Sequence, residues 1–236
     1  MDRRRGPVVT GDAKRAVVTG VSSGIGAATA RRLLDDGWSV TGFSRRDPGI
    51  AHDRFTRVAV DLGDLDALSE QATAVGAVDA VVHAAGLQSS APLGKLRVED
   101  GLDMWRIHVA AAEVLVDALV PSMRNGGRVV LVGSRTMSGA AGKSQYAATK
   151  SALVGMSRSW AAELVDRAIT VNVVAPGPTD TAMLNDPART STPPKLPPLG
   201  RFIAPEEVAG LIGFLVGPLG GSITGQAIVQ CAGASL

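Results

Sequence analysis

Tyr146 and Lys150 are the residues whose types and spacing most directly suggest chemistry. They stand four positions apart in a segment with helical character, so both side chains share one helix face and can serve one pocket. A nearby ammonium group favours the phenolate form of tyrosine. Such a phenol can donate a proton to a carbonyl oxygen as hydride arrives, or accept one in the reverse direction. Taken alone, the pair could equally be a chance feature of an amphipathic helix.

Ser134 could act on the same carbonyl oxygen. It stands twelve residues before Tyr146 and directly after an apolar run, where its hydroxyl could donate a hydrogen bond to that oxygen. The segment 186–199 contains five prolines, which exclude a regular helix or a central strand, and a long irregular loop of this kind could cover a substrate. The other residues predicted to shape the substrate pocket are Thr136, Gln145 and Met183.

Residues 19–26 form a glycine-rich loop, Thr-Gly-Val-Ser-Ser-Gly-Ile-Gly, between a predicted strand and a predicted helix. Gly20 permits the sharp turn, Gly24 lets backbone approach a pyrophosphate, and Gly26 lets the helix pack close to the sheet. The helix N-terminus offers N–H groups to the phosphates. A purely structural turn could also use glycine, but the position after the first strand favours a dinucleotide. The residues predicted to bind it here are Gly20, Ser22, Ser23, Gly24, Ile25 and Gly26.

The end of the second predicted strand favours NADP(H) over NAD(H). An acid at this position holds the ribose 2′-hydroxyl of NAD, whereas a base accommodates the 2′-phosphate of NADP. The sequence has Ser44-Arg45-Arg46 here, and the acid Asp47 comes only afterwards. A guanidinium can bind a phosphate through two N–H bonds. The alternative interpretation is a solvated pair of surface arginines.

Strands and helices alternate along the chain. Apolar runs predict strands over 15–19, 39–43, 57–60, 78–83, 128–132, 169–174 and 226–229, and helical spacing predicts helices over 25–36, 65–74, 99–123, 145–165 and 205–215. The alternation implies right-handed crossovers and an α/β, Rossmann-type doubly wound parallel sheet of about seven strands. Ligands of such sheets bind beyond the carboxyl ends of the strands. The candidate residues that follow a strand are Gly20, Arg45, Asp61, Ala84, Ser134 and Pro176.

The composition narrows the class of protein. The 236 residues, of which 45% are hydrophobic and 19% charged, suit one domain over 14–236, preceded by a basic tail over 1–13 that is expected to be disordered. The single cysteine fits a reducing, cytoplasmic compartment, and the absence of a long apolar run argues against a membrane partner. The three histidines lack metal-ligand spacing, and aromatic residues are too scarce, at 3%, for a nucleic-acid surface.

These residues together resemble the short-chain dehydrogenase/reductase family, over nearly the whole chain from Lys14 onward. Residues 19–26 are similar to its TGxxxGxG loop, Tyr146 and Lys150 to its YxxxK pair, and Ser134 to its catalytic serine. The resemblance implies that Asp61 and Leu62 contact adenine and that the segment after the sixth strand holds the nicotinamide amide. The cofactor-binding residues it implies beyond the glycine loop are Asp61, Leu62, Ala84, Ala85, Gly86, Tyr146, Lys150, Pro176, Gly177, Thr179 and Thr181.

Three departures from the family pattern stand out. His-Ala-Ala-Gly replaces the usual Asn-Asn-Ala-Gly at 83–86, where Ala85 and Gly86 still allow close backbone approach, and Gln-Cys-Ala-Gly at 230–233 replaces the usual Asp-Gly-Gly. His108 aligns with the family's catalytic asparagine, which is thought to hold a water that links the lysine to solvent. An imidazole could carry the same relay, or His108 could be a structural histidine. The sequence leaves both interpretations open.

The sequence therefore predicts an NADP(H)-dependent oxidoreductase that interconverts a ketone and a secondary alcohol. Tyr146 would be the general acid/base, Lys150 would tune it and hold the nicotinamide ribose, and Ser134 would polarise the carbonyl. Acyl thioesters (as in 3-oxoacyl carrier-protein reductases), cyclic ketones and small alcohols are all open as substrates. The alternatives are an NAD-dependent alcohol dehydrogenase of the same mechanism and an NADP(H)-sensing regulator without turnover. The resemblance also implies a homodimer or homotetramer.

Overall fold

The structure, a computed structural model, describes residues 13–185 and 193–236. Within these ranges seven strands form one fully parallel sheet with the order β3-β2-β1-β4-β5-β6-β7. The predicted α/β, Rossmann-type doubly wound sheet is thereby confirmed. The strands are β1 (Arg15–Thr19), β2 (Ser39–Ser44), β3 (Phe55–Ala59), β4 (Ala80–His83), β5 (Arg128–Val132), β6 (Thr170–Pro176) and β7 (Ala227–Gln230).

Helices cover both faces of the sheet. One face packs against α1 and α6, and the other packs against α2, α4 and α5. The α-helices are α1 (Gly24–Asp35), α2 (Leu65–Val75), α3 (Val98–Trp105), α4 (Ala111–Leu119), α5 (Ser144–Leu164) and α6 (Pro205–Val216). Among the helices of the described ranges, none has the length and apolarity that crossing a bilayer requires.

The four central strands β1, β4, β5 and β6 are largely apolar at successive positions because each is covered on both faces. Val17 of β1 packs into the cluster under α2, α4 and α5, whereas Val18 packs into the cluster under α1 and α6. Both valines are fully buried, and burying such a side chain contributes roughly 1.5–3 kcal/mol. Two separate cores therefore hold the strands in register.

The strand order places a crevice above β1 and β4. The chain winds outward from β1 through β2 to β3 and then crosses back to β4 on the other side of β1. The loops after β1 and β4 touch at this switch point, since a Cβ at Gly20 would lie 2.9 Å from the Cα of Ala85. Gly20 also has a φ of +73°, which L side chains disfavour. Ligands of doubly wound sheets bind in this crevice.

The predicted continuous helix over 99–123 is wrong in one respect. A π-helical turn, Arg106–Ala110, separates α3 from α4, and a 3-10 turn, Val120–Ser122, follows α4. The apolar spacing carries no signal for a π turn, which is a rare feature often found at functional sites. The strand boundaries shift by up to two residues, so β3 begins at Phe55 and β4 at Ala80. The predicted tail lies outside the described residues except for residue 13, and so does 186–192 of the proline-rich loop.

Candidate active site

Ser134, Tyr146 and Lys150 line one cavity at the carboxyl ends of the strands. Ser134 follows β5, and the other two residues occupy the first two turns of α5. All three are nearly inaccessible, with Ser134 at 9%, Tyr146 at 8% and Lys150 at 3% exposure. The Lys150 Nζ lies 5.9 Å from the centroid of the Tyr146 ring. The structure thus brings together the three residues to which the sequence assigns chemistry.

The Lys150 ammonium is held by the sheet itself. Its Nζ donates a hydrogen bond of 2.8 Å to the carbonyl oxygen of Val132, the last residue of β5. Burial lowers the pKa of Lys150 to about 7, because removal from water disfavours the charged form. The charge of this group is consequently sensitive to any anion that enters the cavity near neutral pH.

Ser134 is oriented by the turn that it begins. Its Oγ accepts a hydrogen bond of 3.2 Å from the backbone N–H of Thr136, and the two hydroxyl oxygens lie 2.9 Å apart. These contacts cap the 3-10 turn Arg135–Ser138 and place both hydroxyls at the cavity wall. A serine held in this way can donate to a carbonyl oxygen with little loss of side-chain freedom on binding.

The glycine loop is shaped to receive a dinucleotide. A Cβ at Gly26 would lie 2.4 Å from the carbonyl oxygen of Gly20, so only glycine lets α1 start this close to the strand. Ser23 is the N-cap of α1, its side chain makes no capping hydrogen bond, and the first turn holds no acid. The N–H groups of this turn are therefore suited to phosphate oxygens. The loop residues thus fit a pyrophosphate on steric and electrostatic grounds.

Comparison with known proteins agrees with this geometry. The family profile described as enoyl-(acyl carrier protein) reductase matches residues 20–235. The 3-oxoacyl-[acyl-carrier-protein] reductase of Vibrio cholerae is 33% identical over 234 residues, which cover 92% of this chain and 95% of that protein. The chain belongs to the short-chain dehydrogenase/reductase family. It is accordingly an NAD(P)-dependent oxidoreductase.

Two further relatives of this dehydrogenase/reductase are described by what they bind. A short-chain dehydrogenase from Burkholderia cenocepacia, solved in complex with NADP, is 32% identical with a TM-score of 0.84, and the match covers 94% of this chain and 98% of that one. The cyclic-di-GMP-binding biofilm dispersal mediator protein of Escherichia coli is 35% identical over 224 residues, which cover 90% of this chain and 93% of that protein. Proteins this similar therefore carry both catalytic and binding descriptions.

His108 occupies the position of the family's asparagine, in the π turn of this dehydrogenase/reductase. Its Nε2 accepts from the backbone N–H of Leu87 at 3.1 Å, and its Nδ1 lies 2.8 Å from the Oγ1 of Thr149. The Thr149 hydroxyl itself donates to the carbonyl oxygen of Tyr146 at 2.9 Å. A neutral imidazole protonated at Nδ1 satisfies all these bonds, and burial holds the His108 pKa well below its usual value. The geometry favours a structural histidine over a water relay.

His83 is a second buried histidine that replaces a family asparagine. Its Nδ1 lies 3.1 Å from the Oγ1 of Thr19, and its Nε2 lies 3.0 Å from the carbonyl oxygen of Ile107 in the π turn. The carbonyl requires a proton on Nε2, so Nδ1 accepts from the Thr19 hydroxyl. That hydroxyl oxygen also accepts from the backbone N–H groups of Ala84 and Ala85, at 3.1 Å each. His83 thus links the cofactor loop to the turn that holds His108, a role that the sequence did not reveal.

We expect acid to destabilise this fold between pH 6.5 and pH 4 through these two histidines. Burial is the main cause that lowers the pKa of His83 from 6.5 to about 4. Below pH 6.5 His83 becomes protonated in the unfolded chain, whereas in the folded chain it stays neutral until about pH 4. The free energy of unfolding therefore falls as the pH is lowered from 6.5 to 4. His83 alone accounts for about 3 kcal/mol of the loss. Urea denaturation at pH 7, 6, 5 and 4 measures it.

The His83→Asn variant isolates this contribution, because asparagine is the family residue and does not titrate. We expect a shallower fall in the free energy of unfolding for His83→Asn than for the wild type over pH 6.5 to pH 4. The matched control is His52→Asn, since His52 is exposed. Equal slopes for the wild type and His83→Asn would show that His83 is not buried in its neutral form.

The candidate 2′-phosphate residues lie at the ends of β2 and β3. The Arg45 side chain is 76% exposed and its Nη1 lies 3.7 Å from the Oδ2 of Asp61, whose side chain is 53% exposed. An ion pair this exposed contributes little stability, so Arg45 can leave it for a phosphate. The Ser44 hydroxyl donates to the carbonyl oxygen of Arg46 at 2.7 Å, and the Leu62 side chain packs in the core. Arg45 and Arg46 are both exposed at the end of β2, so the guanidinium of either residue can meet a ligand.

The cavity has a volume of about 640 Å³, within the range of small-molecule sites. Of the residues predicted for the site, those that line it are Ile25, Ala84, Gly86, His108, Ser134, Thr136, Tyr146, Lys150, Pro176, Gly177, Thr179, Thr181 and Met183. The predicted substrate role of Gln145 is not supported, because its Nε2 donates to the carbonyl oxygen of Arg97 at 2.7 Å, outside the cavity. Sequence reasoning missed the lining residues Leu87, Gln88, Arg135, Ala234 and Leu236, for which no motif exists.

Proposed function

We propose that the chain is an NADP(H)-dependent oxidoreductase that interconverts a ketone and a secondary alcohol. The observation that carries the proposal is the convergence of Ser134, Tyr146 and Lys150 on one cavity, beside a glycine loop that fits a dinucleotide. The nicotinamide cofactor, when bound, supplies or accepts the hydride. The residues of this chain bind and orient the substrate and move the proton.

Each of the three residues has a distinct part in this mechanism. The Ser134 hydroxyl donates to the carbonyl oxygen and polarises it, and the Tyr146 hydroxyl gives that oxygen its proton during reduction. Lys150, fixed by the Val132 carbonyl, stabilises the phenolate that remains and holds the nicotinamide ribose. His108 packs edge-on against the Tyr146 ring, with centroids 5.6 Å apart, and we assign it a positioning part rather than a proton relay.

The cofactor residues divide between two regions. The loop residues 20–26 hold the pyrophosphate, Ala84, Ala85 and Gly86 border it at the switch point, and Asp61 and Leu62 flank the adenine. The segment after β6 borders the cavity near α5 and holds the nicotinamide amide, and its members are Pro176, Gly177, Thr179 and Thr181. Hydrogen bonds from the Thr179 and Thr181 hydroxyls to backbone carbonyls of this segment fix its path.

Arg45 selects NADP(H) in this proposal. We expect Arg45→Ala to lower kcat/KM for NADPH by about 10- to 100-fold and to leave kcat/KM for NADH nearly unchanged, since a charge-assisted hydrogen bond contributes about 1.5–3 kcal/mol. Steady-state kinetics with both cofactors at one ketone concentration measures the ratio. The control is Arg31→Ala, an exposed arginine on α1. An unchanged ratio would overturn the role of Arg45, whereas a wild type that prefers NADH would favour the NAD-dependent alcohol dehydrogenase.

A regulator that binds a nucleotide without turnover is the second candidate. The Escherichia coli relative described as binding cyclic-di-GMP favours it, and the retained serine, tyrosine and lysine oppose it. A panel of acyl thioesters, cyclic ketones and small ketones, assayed with NADPH and NADH by cofactor fluorescence, separates the two. Oxidation of NADPH by any member supports the enzyme, whereas binding with no oxidation across the panel supports the regulator.

We also propose that the chain forms a homodimer or homotetramer through α4 and α5. Between these helices lies a surface cleft of about 370 Å³ that is lined by the apolar residues Val114, Val116, Val120, Trp160 and Leu164 and by the acidic residues Glu113, Asp117 and Glu163. Apolar side chains at a surface cleft favour burial against a second copy. Sedimentation of the wild type measures the oligomeric state.

The cytoplasmic location expected from the sequence stays a prediction.

A further inference from the structure

Arg135 is an arginine of the cavity wall that has no partner for its guanidinium among the described residues. Four arginines of the described ranges are partly buried, namely Arg15, Arg128, Arg135 and Arg167. The other three donate to backbone carbonyl oxygens, those of Val75, Gly127 and Val120 among them. No such bond, and no ion pair, reaches the Arg135 side chain from residues 13–185 or 193–236. The Arg135 guanidinium is therefore available to pair with an anion that enters the cavity.

Cationic side chains outnumber acidic ones among the described residues of the cavity wall. Arg135, Lys143 and Lys195 line it together with Lys150, and no aspartate or glutamate occurs among its described lining residues. An anion that enters the cavity therefore meets several cationic side chains. This distribution raises the affinity for a negatively charged substrate and lowers it for a cationic one.

The position of Arg135 separates this anion from the pyrophosphate of the cofactor. Arg135 follows Ser134 at the end of β5, and its backbone is fixed in the 3-10 turn that Ser134 caps. The glycine loop follows β1, which is two strands away in the order β1-β4-β5. Neighbouring strands lie about 4.8 Å apart, so the two strand ends are separated by roughly 10 Å. Arg135 lines the cavity next to Ser134, the residue that polarises the carbonyl in the proposed reaction.

We propose that the substrate is an oxo acid whose carboxylate pairs with Arg135, an inference that rests on the proposed function. A guanidinium offers two parallel N–H donors that match the two oxygens of a carboxylate. The carboxylate itself does not react. Reduction forms a C–H bond at the carbonyl carbon from the hydride of NADPH and an O–H bond with the proton of Tyr146, so an oxo acid becomes a hydroxy acid and NADPH becomes NADP⁺.

Matched ketones that differ only in charge test the proposal. The pairs are 3-oxobutanoate with methyl 3-oxobutanoate and 4-oxopentanoate with methyl 4-oxopentanoate, reduced with NADPH by the wild type, Arg135→Gln and Arg135→Lys. We expect Arg135→Gln to lower kcat/KM for at least one acid by about 10- to 100-fold and for its ester by less than about threefold. Arg135→Lys should recover part of the loss in kcat/KM, since lysine keeps the positive charge but lacks the two parallel N–H donors of the guanidinium. The matched control is Arg158→Gln, an exposed arginine of α5.

The outcomes separate this proposal from the proposed function. Equal losses for acid and ester in Arg135→Gln would show a structural part for Arg135 and overturn the carboxylate site while the oxidoreductase stands. A wild type that prefers the esters would overturn it as well. If the wild type reduces none of the ketones, calorimetric titration with 3-hydroxybutanoate in the presence of NADP⁺ decides. Binding that Arg135→Gln abolishes supports the site although the proposed reaction fails, and equal binding or no binding by both proteins overturns it.

Discussion

Replacing Tyr146 with phenylalanine should lower kcat by about 10²- to 10⁴-fold, the range that one general acid contributes, and should leave NADPH binding nearly unchanged. The ring is buried and packs edge-on against His108, so phenylalanine keeps the shape of the wall and removes only the hydroxyl. Proton delivery to the carbonyl oxygen then has no donor of matched geometry. Single-turnover reduction of the best ketone of the panel measures the chemical step, and NADPH fluorescence titration measures binding.

Two controls make the Tyr146→Phe result specific. The thermal midpoint should stay within a few degrees of the wild type, since a change of 1 kcal/mol shifts it by about 2–4 °C in a chain of this size. Ser134→Ala should also lose rate, but it removes a polarising donor and leaves the proton donor in place. A Tyr146→Phe rate above about a tenth of the wild-type rate would contradict the assignment and point to another proton donor in the cavity.

The fold was predictable because its signals are local and repeated. Strands covered on both faces must be apolar at successive positions, as Val17 and Val18 illustrate by packing into different cores. Helices covered on one face show helical spacing, and the alternation of the two elements leaves few topologies. Because ligands of such sheets gather at one edge, the positions of Ser134 and the glycine loop follow from strand ends alone.

Which side chains line the cavity was not predictable, because this depends on the directions of side chains on elements that are distant in sequence. Gln145 precedes Tyr146, yet on a helix neighbouring residues point about 100° apart, and the Gln145 amide turns to the carbonyl of Arg97. Arg135 belongs to no sequence motif, and its role can be inferred only from its place beside Ser134 in the wall of the cavity.

The contacts of His83 and His108 were likewise not predictable from the sequence. His83 and His108 could be recognised in the sequence only as departures from asparagine. Their hydrogen bonds run from β4 to the π turn and from that turn to α5, so no pattern within one element encodes them. The spacing of apolar residues likewise does not predict the π turn, whose Ile107 carbonyl oxygen is hydrogen-bonded to His83. The neutral forms follow from burial, which only the packed structure reveals.

Lys150→Met should lower the activity of the protein and raise its stability. We expect kcat/KM to fall by about 10²- to 10³-fold, the loss typical when one preorganised electrostatic donor is removed. The thermal midpoint should rise, because burial lowers the Lys150 pKa from 10.5 to about 7 and so opposes folding with the charged form. A shift of that size corresponds to about 4–5 kcal/mol, whereas the Val132 carbonyl left without its donor costs about 1–3 kcal/mol. The removal of the buried ammonium therefore outweighs the lost hydrogen bond.

The pH dependence of this gain identifies its cause. Between pH 7 and pH 10.5 folded Lys150 is largely neutral while the unfolded chain still binds the proton, so the wild-type free energy of unfolding rises with pH. The methionine variant lacks this rise, and its advantage in thermal midpoint should be largest at pH 7 or below and should shrink towards pH 10. Lys95→Met, at an exposed position, controls for methionine in place of lysine. A lowered midpoint in Lys150→Met at pH 7 would show instead that the ammonium holds the end of β5 in place and that its loss disrupts the fold.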